Sequence, residues 1–102
     1  MVKKIYRMVT LRIEHKVPSF DKWRDAFDSD PIKREKMGVK RYHIFRPVDD
    51  HEYVIIHLEF ENVLDAQVTQ AALQKMWTRV EGTIMMAPQT KILEMIESHE
   101  YR

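Results

Sequence analysis

The clearest pattern in the chain is an alternation of apolar and polar residues over Ile5–His15. Val9, Leu11 and Ile13 fall on one side of this alternation, and the residues between them are polar or flexible. A period of two residues that includes β-branched side chains is typical of a β-strand with one buried face. The pattern therefore predicts a first strand here.

A helix is predicted directly after this strand. Pro18 ends the strand, and the Ser19 hydroxyl can accept a hydrogen bond from an unpaired amide of the first helical turn. Phe20, Trp23 and Phe27 follow at positions i, i+3 and i+7, which lie on one face of a helix. The helix is therefore expected to bury an aromatic stripe.

The middle of the chain predicts a short helix and a hairpin. The short helix is expected over Pro31–Met37, with Gly38 as its left-handed cap. Strands are expected over Val39–Pro47 and Tyr53–Phe60, separated by the turn-like segment Val48–His51. Because the connection is short, the two strands should pair with each other.

The last part of the chain predicts another helix and a final strand. Asn62 is a good N-cap, and Asp65 stands three residues later, close to a capping box. The helical pattern continues to Gly82, Thr83–Pro88 is apolar but irregular, and Gln89–Glu97 has the character of a strand. The second half of the chain therefore repeats the strand–helix–strand order of the first half.

The element order β-α-β-β-α-β predicts an α+β, ferredoxin-like fold. Right-handed crossovers place both helices on one face of a four-stranded antiparallel sheet, with the first and third strands in its centre. The third strand is apolar on both faces except for His57 and Glu59, although helices cover only one face. A second copy of the chain would cover the other face, so we expect a homodimer.

The hairpin register divides the polar residues between the two faces of the sheet. Closing the turn over the two aspartates pairs His43 with Ile56 and Tyr42 with His57. With this register, His43 and His15 point toward the helices, while Tyr42 and His57 point toward the open face. A slip of one residue would exchange the two sets on the second strand.

Composition narrows the class of protein. The 102 residues are expected to form a single domain, spanning 1–102. The chain has 17 basic and 16 acidic residues in mixed order, which argues against nucleic-acid binding. It has no cysteine and no apolar run long enough to cross a membrane, and Arg7 follows Lys4 too closely for a signal peptide. A cytoplasmic protein that contacts neither membrane nor nucleic acid is expected.

Several parts of the sequence match the pattern of one known family: the run His15–Phe27, the Arg34…Gly38 segment, the strand Tyr42–Arg46, the Asp49-Asp50 turn, and Glu59-Phe60 before a capped helix. Through these parts, over roughly Val9–Ala72, the sequence resembles the dimeric α/β barrel superfamily, and within it the small antibiotic-biosynthesis-monooxygenase-like and cyclase-like proteins. Its C-terminal third departs from this pattern, because Gly82–Pro88 replaces the usual Gly-Val…Pro segment.

The resemblance implies a homodimer that forms an α/β barrel and acts on a small aromatic or polyketide-like molecule without metal or organic cofactor. Under the helices, His43 is the residue we expect to handle the proton, because an imidazole titrates near neutral pH. His15 would orient the polar end of the ligand, and Trp23, Phe27 and Trp77 would contact its apolar body.

These residues also allow simpler interpretations. His43 could be a histidine at the edge of the core, bonded to the backbone. His57 and Tyr42, with Arg12 and Glu14 on a neighbouring strand, are most simply a paired polar network in an interface. The five histidines lack the spacing of metal ligands. The chain could equally be a non-catalytic small-molecule-binding or stress-response module, because this fold supports many functions.

Overall fold

The computed structural model describes residues 8–80, 82 and 84–102, so Ile5–Arg7 of the predicted first strand lie outside the described residues. The described elements are β1 (Val9–Lys16), α1 (Phe20–Asp28), β2 (Arg41–Phe45), β3 (Tyr53–Phe60), α2 (Val63–Trp77) and β4 (Met86–Glu94). The strands form one antiparallel sheet in the order β2-β3-β1-β4. The predicted α+β, ferredoxin-like β-α-β-β-α-β fold is confirmed, as is the central position of the first and third strands.

Both predicted helix N-caps are present. The Ser19 hydroxyl accepts a hydrogen bond from the amide of Lys22 at 3.3 Å, and the Asn62 side chain accepts one from the amide of Asp65 at 2.8 Å. Each bond satisfies an amide that has no partner within its own helix. Helix α2 ends at Trp77, before the predicted end at Gly82.

The short helix predicted over Pro31–Met37 is wrong, because this segment forms consecutive turns. Asp30 has a φ of 51° and Lys33 a φ of 58°, and residues of an α-helix instead have a φ near −63°. Gly38 does adopt the left-handed backbone expected of it, with a φ of 102°. The turns carry the chain from the end of α1 across to β2.

The register of the hairpin differs from the predicted one by one residue. His43 lies opposite His57, where Ile56 had been expected, and Tyr42 lies opposite Leu58. Since side chains alternate between the faces of a strand, every residue of β2 is exchanged between the two faces. Tyr42 therefore faces the helices, and His43 faces the open side of the sheet.

This slip originates in the connection between the two strands, residues 46–52. Two successive turns occupy the connection, at 48–49 and 51–52, where a single turn had been expected. The side chain of Asp50 accepts a hydrogen bond from the amide of Glu52 at 2.9 Å. The amide of Val17 donates to the Glu52 carbonyl at 2.8 Å, which ties the loop to the residue after β1.

The core lies between the helices and one face of the sheet. Strand β4 begins at Met86 and ends at Glu94, so the predicted strand Gln89–Glu97 is shifted toward the N-terminus and part of the segment expected to be irregular is strand. The central strands bury alternate residues on the predicted face: Val9, Leu11, Ile13, His15, Val54, Ile56, Leu58 and Phe60.

None of the helices among the described residues is long and apolar enough to span a bilayer.

Candidate small-molecule site

A cavity of about 310 Å³ lies between the two helices and the central strands. Its volume is at the small end of the range for small-molecule sites. His15, Trp23, Phe27 and Trp77 all line it, so the structure brings together the four residues predicted to contact a ligand. The rest of the described lining is mainly apolar, from both helices, the sheet and the segment that precedes β4.

His15 is the buried polar residue of this cavity. Only 2% of its surface is exposed, although it lies one residue from the end of β1. Its Nδ1 lies 3.1 Å from the carbonyl oxygen of Lys16. A carbonyl can only accept, so Nδ1 carries the hydrogen and Nε2 carries a free lone pair.

The lone pair of His15 has no partner among the described residues. Burial lowers the pKa of the imidazole, and the hydrogen bond to the Lys16 carbonyl opposes this shift without reversing it. The ring is therefore neutral at pH 7 and offers a hydrogen-bond acceptor. A buried acceptor without a partner is unfavourable unless a ligand or water satisfies it.

Aromatic rings form a continuous row beside this histidine. The centroid of the His15 ring lies 6.0 Å from that of Trp23, and Trp23 lies 5.2 Å from Phe27. Tyr42 extends the row, with its ring edge-on to Phe27 at 5.1 Å. The register expected from the sequence places Tyr42 on the opposite face, so this contact was not predicted. The rings are inclined to one another by 31–71°, and together they provide an apolar aromatic wall against which an aromatic ligand could pack.

Arg34 lines the cavity and was not among the predicted site residues. Its guanidinium carbon lies 3.8 Å from the centroid of the Phe27 ring, and Nη1 donates to the Phe27 carbonyl at 2.8 Å. The sequence feature that relates to this position is Asp30, four residues before Arg34. In the structure the Asp30 carboxylate lies 3.4 Å from Nη1. That spacing alone does not indicate that the side chain folds back over α1.

His43 does not belong to this cavity. Its prediction as the proton-handling group under the helices is wrong, because the one-residue slip turns its side chain to the open face of the sheet. There its Nδ1 lies 3.5 Å from the Glu59 carboxylate, and its ring stacks on Phe45 with centroids 6.1 Å apart.

A polar network lies on the open face of the sheet and includes the expected arginine and glutamate, but among the described residues neither the predicted tyrosine nor the predicted histidine is hydrogen-bonded to it. Glu14 accepts hydrogen bonds from the Tyr53 hydroxyl at 2.7 Å and from Arg12 Nε at 2.9 Å. The Tyr53 bond is the main cause of a lowered pKa at the Glu14 carboxyl, and it raises the pKa of Tyr53 in turn. The Nε2 atom of His57 is buried without a partner among the described residues, and burial, Arg12 and His43 lower its pKa.

Within the described residues, no group of three or more His, Cys, Asp or Glu side chains is placed to hold a metal ion.

No protein-family model and no curated protein matches the chain. Solved structures do match it. One is a protein from Bordetella bronchiseptica assigned provisionally as an antibiotic biosynthesis monooxygenase, with a TM-score of 0.69, 13% identity and coverage of 89% of this chain and 99% of that chain. Another is SnoaB, a cofactor-independent oxygenase from Streptomyces nogalater, with a TM-score of 0.63, 10% identity and coverage of 92% and 96%.

A third is a dimeric ferredoxin-like protein from an uncultured marine organism, with a TM-score of 0.62, 10% identity and coverage of 91% of this chain and 99% of that chain. Identities this low establish a shared fold and carry no activity across. The chain therefore has the fold of the dimeric ferredoxin-like and antibiotic-biosynthesis-monooxygenase-like proteins, the group that its sequence resembles.

Proposed function

We propose that the chain binds a small hydroxylated aromatic molecule in the cavity under the helices and oxidises it with dioxygen, using no metal or organic cofactor. The observation that carries this proposal is the buried Nε2 of His15, which has no hydrogen-bond partner within the described part of the chain and lies beside a row of aromatic rings. The similarity in fold to a cofactor-independent oxygenase supports the choice of reaction.

In this proposal, the hydroxyl of the ligand donates its hydrogen to Nε2 of His15, and the ring stacks against Trp23 and Phe27. Because burial lowers the pKa of His15, the imidazole is too weak a base to remove the proton of a resting phenol, whose pKa is about 10. Loss of an electron from the ring makes the hydroxyl far more acidic. His15 then takes the proton as the electron leaves for dioxygen, in a pocket that excludes water.

The electrons for this reaction come from the substrate itself. With 1-naphthol as a test substrate, 1-naphthol and dioxygen give 1,4-naphthoquinone and water. One oxygen atom enters the ring and the other leaves as water, and the ring loses the four electrons that dioxygen gains. The protein positions the two reactants and accepts a proton.

Calorimetric titration and oxygen uptake test the proposal together. The wild-type protein should bind 1-naphthol about ten-fold more tightly than 1-methoxynaphthalene, which lacks the donor hydrogen. His15→Phe should remove this preference and lower turnover on the order of 10²–10⁴-fold. His43→Phe, on the other face, is the matched control and should change neither quantity.

The possible outcomes separate the two functional classes. Binding with the expected preference but without quinone formation would assign the chain as a non-catalytic small-molecule-binding module. Failure of both naphthalenes to bind would overturn the proposal as a whole. Normal turnover in His15→Phe would remove this histidine from the reaction.

We also propose that the chain forms a homodimer through the open face of the sheet. That face combines a polar network with apolar side chains that remain accessible, Phe45 at 46% and Leu93 at 37% exposure. The Nε2 atom of His57, to which no described residue is hydrogen-bonded, lies on the same face. Two solved structures with this fold are described as dimeric. A second copy would cover the apolar side chains and could supply a partner for His57.

A further inference from the structure

We propose that Arg34 is an anion-binding residue of the cavity, so that the ligand is a hydroxylated aromatic acid and not a neutral phenol. This inference rests on the proposed binding of an aromatic molecule beside His15 and adds a second polar anchor to it. The ligand would then place a hydroxyl at His15 and a carboxylate at Arg34.

Arg34 is the only permanently charged side chain among the described residues that line the cavity. A guanidinium is always protonated and offers N–H groups in a planar fork that matches the two oxygens of a carboxylate. Its side chain is only 14% exposed, so water screens its charge less than that of a surface arginine. An anionic group that enters the cavity would therefore meet a partly desolvated positive charge.

The neighbouring groups hold Arg34 in place while leaving its charge incompletely balanced. Among the described residues, the polar contacts of its side chain are made by Nη1. This atom donates to the Phe27 carbonyl at 2.8 Å and lies 3.4 Å from Asp30 Oδ1. That Asp30 oxygen accepts a closer hydrogen bond, at 2.9 Å, from the backbone amide of Arg34. The Phe27 ring, 3.8 Å from the guanidinium carbon, further restricts the side chain, so the residue is preorganised for a ligand.

Arg34 also stands where the apolar cavity meets the outside. It lines both the cavity and a second, more polar depression of about 460 Å³. Lys40 and Arg41 line that depression too, but they are paired with Glu61 at 3.3 Å and with Glu59 at 2.9 Å. Neither of them lines the apolar cavity, so Arg34 is the cation placed to bind a ligand inside it.

The ring contacts relate the two anchors. The row runs from His15 through Trp23 and Phe27 to Tyr42, and the guanidinium of Arg34 lies 3.8 Å from the Phe27 centroid and 5.1 Å from the Tyr42 centroid. Arg34 therefore lies at the part of the row that is farther from His15. A flat ligand with one ring or two fused rings, and with its hydroxyl and carboxylate at opposite ends, would reach both His15 and Arg34. A ligand of this size fits a cavity of about 310 Å³.

Calorimetric titration with three related probes tests the inference: 6-hydroxy-2-naphthoate, its methyl ester and 2-naphthol. The wild-type protein should bind the acid about ten-fold more tightly than the ester, because only the acid offers a charged partner for the guanidinium. Arg34→Met should bring this ratio close to one. Arg46→Met is the matched control, since Arg46 also covers a phenylalanine ring, 4.7 Å above Phe20, but does not line the cavity.

The outcomes distinguish this inference from the proposed function. Equal binding of acid and ester by the wild-type protein would overturn the role of Arg34 and leave the aromatic site intact. A purely structural role would lower the affinity of Arg34→Met for all three probes equally, which would also overturn it. Failure of every probe to bind would overturn the proposed function as well.

The anion-binding role of Arg34 can still be tested if the Arg34→Met variant fails to fold. The comparison of acid with ester in the wild-type protein uses no variant, and Arg34→Lys keeps the charge while losing the planar fork. We expect Arg34→Lys to retain part of the preference for the acid. An unchanged preference in Arg34→Lys would show that the fork is not the group that binds the carboxylate.

Discussion

Gly38 lies so close to Asp65 that a Cβ atom on the glycine would stand 2.6 Å from Asp65 Oδ2. The backbone of Gly38 has a φ of 102°, which L residues with a side chain rarely adopt. Asp65 belongs to the first turn of α2, where its amide is capped by Asn62. The turn before β2 therefore packs tightly against the start of α2, and both backbone geometry and space favour glycine there.

Gly38→Ala should destabilise the protein more than Gly82→Ala. Both glycines have a positive φ, 102° and 92°, so each substitution carries a backbone cost of about 1–2 kcal/mol. Among the described residues, the new methyl group meets a neighbour at Gly38, whereas none of them lies within 4 Å of a Cβ at Gly82. Urea unfolding of the two variants measures the difference. Equal losses would show that Asp65 moves aside without cost.

Asn62→Ala should lower the free energy of unfolding by about 1 kcal/mol, because it leaves the Asp65 amide at the start of α2 without its capping acceptor. Ser19→Ala is the comparison at α1. The bond from Lys22 to Ser19 is longer, 3.3 Å against 2.8 Å, so its loss should cost less. Chemical denaturation at one temperature ranks the two variants. The reverse order would mean that these distances do not reflect the strength of the caps.

Stability should fall as the solution becomes acidic below about pH 6.5, in part because of His15. Burial lowers the pKa of this residue in the folded state, while its pKa in the unfolded chain is about 6.5. Between these two pKa values the unfolded chain binds more protons than the folded protein, so acid favours unfolding. The contribution of neutral His15 to the free energy of unfolding is complete above about pH 6.5 and is lost as the pH falls through the folded pKa. His57, whose pKa is also lowered, acts in the same direction.

Urea unfolding between about pH 7.5 and pH 5 measures this dependence. His15→Phe should make the decline in stability shallower, since it removes a group that must be neutral in the folded state. His51→Phe alters a histidine in an exposed turn and is the control, for which we expect the wild-type profile. An unchanged decline in His15→Phe would show that other groups cause the acid sensitivity.

Light scattering at micromolar concentration should give about twice the mass of the chain, as the proposed homodimer requires. His57→Asp should weaken this dimer more than His51→Asp, because His57 lies on the open face of the sheet while His51 lies in an exposed turn. A carboxylate buried in an interface loses its hydration. A stable wild-type monomer, or equal effects of the two substitutions, would contradict the assigned interface.

Elements with strong local signals were predictable from the sequence. The bounds of β3 agree with the prediction, Tyr53–Phe60, because its apolar run is bounded by turn residues. Asn62 and Ser19 act as the predicted caps, since capping depends on residues that are near neighbours in sequence. The convergence of His15 and Trp23 on one cavity followed from the alternation of β1 and the helical spacing of α1.

Features that depend on contacts between distant residues were not predictable. The hairpin register depends on a loop held by the bond between Val17 and the Glu52 carbonyl, so His43 was assigned to the wrong face. The position of Arg34 depends on left-handed backbone at Lys33, a residue type with no particular preference for it. The sequence pattern favours a helix over Pro31–Met37. Because that helix does not form, the pattern did not predict that Arg34 reaches the cavity.

The cavity under the helices also connects ligand binding to heat resistance. A ligand that fills an apolar space of about 310 Å³ supplies contacts that the side chains around it do not make with one another. At about 100 times its dissociation constant, such a ligand adds about 2.7 kcal/mol to the folded state. The melting temperature then reports occupancy, so a thermal-shift screen of phenolic acids against the wild-type protein can find the natural ligand without an assay of turnover.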